Sequence, residues 1–115
     1  MNQLKPFMSR DLESLIDIKN AAQRIKKYAD GISRSGLEEN DEKLSAILYQ
    51  ITIIGEATKR ISPEFRMLYP EMPWREMAGM RDVIVHEYDQ LDFEVIWDVV
   101  SSRLDDLLNQ IENLS

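Results

Sequence analysis

The sequence predicts an all-α fold, a bundle of three long helices with short helices at its centre. Apolar residues recur at three- and four-residue intervals across three long segments, the period of one helical face. Strand patterns are absent: Val83-Ile84-Val85 is β-branched, but the run is short and sits in a helical context. Apart from Gly55, the glycines and prolines fall between the periodic segments and divide them.

Ser9 reads as the N-cap of the first helix, whose apolar stripe is Leu12, Leu15, Ile16, Ala22, Ile25 and Ala29. The stretch GISRSG, between Gly31 and Gly36, reads as a connecting loop. Asn40 or Asp41 opens the second helix, with Leu44, Ile47, Leu48, Ile51, Ile54, Thr58 and Ile61 on its buried face. Ser62-Pro63 ends it, and Pro63 can begin a short helical turn through Leu68. Pro70 and Pro73 then break the chain. Pro73 is suited to the first position of a short helix carrying Trp74 and Met77, and a further helix runs from about Gly79 or Met80 to about Glu87. Asp92 caps the third long helix, which should bury Val95, Ile96, Val99, Val100, Leu104, Leu107, Leu108 and Ile111. Gly55, inside the second helix, costs about 1 kcal/mol relative to alanine, so its use is close approach by another backbone or side chain. Its neighbour Glu56 reads as a surface carboxylate.

The 115 residues make one domain, 1–115, small enough to gain from pairing with a copy of itself. With 43% hydrophobic and 30% charged residues a buried core is expected. No cysteine is present, which excludes disulfides, thiolate metal ligands and a cysteine nucleophile. The opening MNQLKPFMSRDLESL has no leader pattern and no stretch is long enough to span a membrane, so a cytoplasmic location is expected. A net charge of −7 argues against a general duplex binder. A local basic site remains open. Lys59, Arg60, Arg66, Arg75 and Arg81 fall close together, but Glu64, Glu71 and Glu76 are interleaved, as on a mixed solvated surface.

The chemistry concentrates in GMRDVIVHEYDQLD, residues 79–92, which holds the single histidine. On one straight helix Arg81 and His86 lie about 140° apart, and His86 and Tyr88 fall on opposite sides. The three can converge if the helix ends near His86 and Tyr88 lies in the following turn, or if a second copy of the chain completes the site. Asp82 and His86, four apart, are neighbours on one face, where a carboxylate can orient an imidazole; a plain surface pair is the other reading. Arginine offers a fork of donors for phosphate oxygens, histidine moves a proton at neutral pH, and tyrosine stacks on a base or positions a hydroxyl. Together they suit metal-free RNA cleavage by the ribose 2′-hydroxyl. That reaction needs both a base and an acid. Either a second histidine comes from a paired chain or one histidine shuttles the proton.

RDVIVHEY matches the Arg-x4-His-x-Tyr motif of the HEPN superfamily. With IGEATKRIS and the longer PWREMAGMRDVIVHEYDQLDFEVIWDVV, the chain resembles the HepT-like ribonuclease toxins, most strongly over residues 50–100. The resemblance implies an antiparallel, HEPN-like helical bundle that forms a homodimer, with the motifs of both subunits lining an interface cleft. It implies a metal-independent endoribonuclease without cofactor, encoded beside a nucleotidyltransferase antitoxin that can transfer AMP from ATP to the motif tyrosine. Carried over by position, Arg81 holds the scissile phosphate and His86 transfers the proton. Tyr88 supports RNA binding and is the AMPylation site. Asp82, at the motif's first variable position, takes an orienting role. Trp74, Met77 and Met80 match the family pattern upstream and read best as packing residues. With Val83 and Ile84 they supply the apolar surface for an interface near residues 74–90.

Two other readings compete with the toxin. One is a nucleotide-binding or adaptor module that serves a nucleotidyltransferase partner without cutting RNA. The other is a structural dimerisation domain, which the intact Arg81, His86 and Tyr88 disfavour.

Overall fold

The computed structural model of the chain describes residues 5–114, with side chains from Arg10 onward. Every regular element among them is helical: α1 (Lys5–Ala29), α2 (Arg34–Glu38), α3 (Asp41–Arg60), α4 (Pro63–Leu68), α5 (Trp74–His86), α6 (Phe93–Asp98) and α7 (Leu104–Glu112). A 3₁₀ turn covers Tyr88–Gln90, and a π-helical turn, Val99–Arg103, joins α6 to α7 into one long helix.

The first helix begins earlier than its sequence suggests. Ser9 has helical backbone and is not a cap, because the chain is already helical from Lys5. The buried face also differs: Leu15, Ile18, Ala21, Ala22 and Ile25 face inward, whereas Leu12 and Ile16 are exposed. The inward positions ahead of Leu15 are polar. Asp11 and Ser14 are buried, and Asp11 accepts hydrogen bonds from the Ser62 backbone N–H at 2.8 Å and the Ser62 hydroxyl at 2.7 Å. A hydrophobic stripe cannot register a buried carboxylate that is satisfied by another element.

Gly31, at φ 73°, takes the left-handed backbone that turns the chain after α1. The expected loop at 31–36 instead contains the start of α2. Ser33 caps it by accepting from the Gly36 N–H at 3.0 Å, and Leu37 anchors it in the core. Asn40 caps α3, and acidic first-turn and basic last-turn residues match the helix dipole. Pro63 occupies the first turn of α4, as read from the sequence, and Ser62, read there only as part of the end of the preceding helix, is its N-cap. The irregular 69–74 segment is pinned by the Trp74 indole N–H donating to the Tyr69 carbonyl at 3.0 Å, and by Phe65 packing edge-on to Trp74.

The two short helices expected around Gly79 are one continuous helix, α5, and Pro73 sits at its N-cap rather than inside it. A mid-helix glycine costs only about 1 kcal/mol, which packing offsets easily. Asp92 caps α6, accepting from the Glu94 N–H at 2.9 Å. Along the last helix Ile96, Leu104, Leu107 and Ile111 are buried, Val99, Val100 and Leu108 are half-buried against the core, and Val95 is exposed.

α3 packs against both α1 and α5, and α7 returns onto α1. Contacts at both ends make α1 and α3 antiparallel. Lys43 Nζ donates to the Tyr28 carbonyl at 2.8 Å at one end, and the Asp11–Ser62 and Asp17–Arg60 pairs close the other. Ile18, Ile25, Leu37, Ile47, Ile96 and Leu104 are the largest fully buried side chains, so the core draws on α1, α2, α3, α6 and α7. Among the described residues no helix is long and apolar enough to cross a membrane.

Candidate active site

The motif occupies the end of α5. Arg81 and Asp82 lie on the helix, His86 is its last residue, and Tyr88 stands beyond it in the 3₁₀ turn. The break expected after His86 is therefore present. It follows from Glu87 leaving helical geometry at φ −133°, ψ 37°. His86 and Tyr88 are exposed, whereas the Arg81 side chain is only 23% exposed. Within one chain no hydrogen bond or ion pair joins Arg81, His86 and Tyr88 to one another among the described residues.

Arg81 is held instead by α3. Gly55 faces it so closely that a Cβ at position 55 would lie 2.2 Å from the Arg81 Cβ and 3.0 Å from the Met77 carbonyl oxygen. The close approach inferred for Gly55 is thus made by α5, the helix that carries the motif. Glu56, read from sequence as a plain surface carboxylate, puts Oε1 2.7 Å from Arg81 Nε. The Nε–H is buried and not aimed at that oxygen, so the contact is one of charge rather than a directed hydrogen bond. Asp82 Oδ1 receives two cations, Lys59 Nζ at 2.5 Å and Arg81 Nη1 at 3.1 Å. No hydrogen bond runs from Asp82 to His86 among the described residues; its carboxylate is engaged on the other side. The hydrogen bond from Lys59, and after it that from Arg81, hold the Asp82 carboxyl below the usual carboxylate range, so it is ionised at neutral pH.

Sequence reasoning did not assign Glu56 or Lys59 to the site. Their signal was spacing: Gly55 and Lys59 are four apart, on one face of α3, with Glu56 beside them. Once Gly55 is taken as a point of close approach, its helical neighbours become the residues that meet whatever approaches.

Alongside the motif runs an apolar groove of about 580 Å³. Ile51 and Ile54 of α3, Met77, Met80 and Val83 of α5, and Val99 beside α6 are among its lining residues. Gly79 borders it, and a Cβ there would meet nothing within 4 Å. Among the described residues no three His, Asp or Glu side chains gather as a metal-binding group.

The class that this fold and motif define is that of all-helical ribonucleases. The chain belongs to the HepT-like ribonuclease family, whose model matches residues 18–114. It is 36% identical to a probable ribonuclease HepT of Thermococcus cleftensis, over 87% of this chain and 91% of that protein. It is 29% identical to a protein of Methanocaldococcus jannaschii assigned as an RNase, over 90% of this chain and 95% of the relative. A protein of Caldanaerobacter subterraneus subsp. tengcongensis, also assigned as an RNase, is 29% identical over 99% and 96% of the two chains. No solved structure gives a significant match.

Proposed function

We propose that the chain is a metal-independent endoribonuclease toxin that works as a homodimer and is neutralised by a nucleotidyltransferase antitoxin. The observation that carries this reading is the anchoring of Arg81. Two helices and the absence of a side chain at position 55 fix its base, while His86 and Tyr88 stand exposed at the helix end. A fixed cation and a freely reachable proton carrier on the same helix suit attack on a bound phosphodiester once a second chain brings the groups of two motifs together. The ribose 2′-hydroxyl loses its proton to a base and attacks phosphorus. The P–O5′ bond breaks, and the leaving 5′-oxygen takes a proton from an acid. The products are a 2′,3′-cyclic phosphate and a free 5′-hydroxyl. His86 serves as base or acid, and Arg81 balances charge on the phosphoryl oxygens. Purified protein should cut RNA in the presence of chelator, and a His86→Ala control should not. An adaptor without nuclease activity would leave RNA intact in both.

Pairing brings a second histidine to the site, so that base and acid need not be the same group. The apolar groove beside α5 supports it, with half-buried Met80 and exposed Val83 in its lining, whereas Trp74, Met77 and Ile84, expected at the interface, are buried in this chain's own core. Light scattering at micromolar concentration should return twice the 13.5 kDa chain mass. A purely monomeric protein would sink the dimer.

Tyr88 is the proposed target of control. It is 56% exposed in the turn after α5. In the transfer, its phenolic oxygen attacks the α-phosphorus of ATP, pyrophosphate leaves, and the phenolic proton is lost to solvent. The attached phosphodiester is an anion suited to Arg81, and the nucleoside adds bulk where RNA must enter. Incubation with the antitoxin, ATP and magnesium should add AMP to Tyr88, read by mass spectrometry, and abolish RNA binding. Modification that persists in Tyr88→Phe would refute this acceptor.

A further inference from the structure

Lys59 and Arg81 come from different helices and donate to the same oxygen, Asp82 Oδ1, at 2.5 and 3.1 Å. A carboxylate oxygen and a non-bridging phosphate oxygen present the same thing to such donors, an anionic acceptor. We propose that Asp82 is a resident stand-in for an RNA phosphate, and that Lys59 is a second phosphate-binding residue which, with Arg81, takes that phosphate when RNA displaces the carboxylate. The proposal rests on the reading of Arg81 as the phosphate ligand and extends it to a residue on α3.

Three features support the exchange. The Asp82 and Lys59 side chains are 49% and 40% exposed, so a strand can reach the oxygen they share. Arg81 keeps its other edge against Glu56, so its position does not depend on Asp82. The lowered proton affinity of Asp82 reports a point where the two cations favour an anionic oxygen. The arrangement also tunes selectivity. A phosphate must out-compete a tethered carboxylate, so weak, non-specific anions are refused by a chain whose net charge of −7 already repels them.

The distinguishing property is sign. If Lys59–Asp82 were only an interhelical tie, removing either partner would act in the same direction. If Asp82 competes with RNA, Asp82→Asn should tighten binding while Lys59→Met weakens it. The probe is a fluorescent 2′-O-methyl oligoribonucleotide of mixed sequence, which cannot be cut because its 2′-oxygen is blocked. Affinity is read by anisotropy across a salt series. Lys59→Met should bind roughly fivefold more weakly, with a salt slope smaller by about 0.7, and Lys59→Arg should restore most of the affinity. Asp82→Asn should bind roughly two- to fivefold more tightly. Asp106→Asn, which removes the same charge from the exposed face of α7, should gain clearly less. Shifts of the same sign for Asp82→Asn and Lys59→Met, no shift in either, or an equal gain in Asp106→Asn would overturn the proposal. Arg81→Ala separates the two levels. If it binds and cuts like the parent, the reading of Arg81 has failed. If it is impaired while the Lys59 and Asp82 variants show no opposed shifts, only the present inference has failed.

Discussion

His86→Ala is expected to lower the RNA cleavage rate by about 10²- to 10⁴-fold, the usual worth of a positioned proton-transfer group. It should leave the melting temperature within about 2 °C of the parent, because exposed substitutions rarely exceed a few tenths of a kcal/mol. His86 ends α5 exposed, and no side-chain hydrogen bond holds it among the described residues. Arg81→Ala is expected to abolish cleavage as well, with a different stability signature. Its Cβ, the atom that meets Gly55, survives in alanine, but Glu56 and Asp82 lose a cationic partner. The variant should remain folded and melt somewhat lower. Rates measured in chelator, beside thermal melts, check both. A His86→Ala protein that cuts at the parent rate would remove His86 from the mechanism.

Gly55→Ala should have a large effect for a single added methyl group. The new Cβ would stand 2.2 Å from the Arg81 Cβ and 3.0 Å from the Met77 carbonyl. Neither neighbour is the far end of a flexible side chain. Relief requires α5 to move away from α3. Overpacking of this kind costs about 3 kcal/mol, and alanine returns about 1 kcal/mol through its higher helix propensity. The net loss of about 2 kcal/mol should appear as a drop of roughly 8 °C in melting temperature. Cleavage should fall further than stability alone explains, because a shift of about 1 Å in a catalytic group costs on the order of 10²-fold. Urea titration and rates on the folded fraction separate the two effects. Unchanged rates would show that the closeness of α3 to α5 is not what aims Arg81.

Much of the architecture was legible in local chemistry. Asn40 and Asp92 announce helix starts because their side-chain oxygens satisfy N–H groups that nothing else in the helix can reach, and Pro63 announces α4 because its missing N–H costs nothing in a first turn. Gly55 announced a close approach because a mid-helix glycine has a cost that must be offset. Gly79 carries the same cost, and reading it as a boundary divided α5 in two. The two glycines look alike in sequence, and only the partner helix distinguishes them. Glu56 looked like a surface carboxylate because nothing in its local sequence reveals that Arg81, 25 residues on, folds onto its helix. Leu12 and Ile16 followed a helical period yet point outward, since the buried face of α1 begins with Asp11 and Ser14. Long-range polar pairing was the layer that periodicity does not encode.

The π-helical turn at Val99–Arg103 bears on how this helix tolerates changes in chain length. Ile96 and Leu104 are both buried although they lie eight positions apart, a spacing that leaves them about 80° out of phase in an uninterrupted α-helix. A wider turn advances less per residue and brings the two back to one side. The chain thus holds one position more than a regular helix needs between them. A homologue lacking one residue there could close the turn to an ordinary one and still present the same two faces. A one-residue gap in this stretch would then signify a narrower helix rather than a changed register.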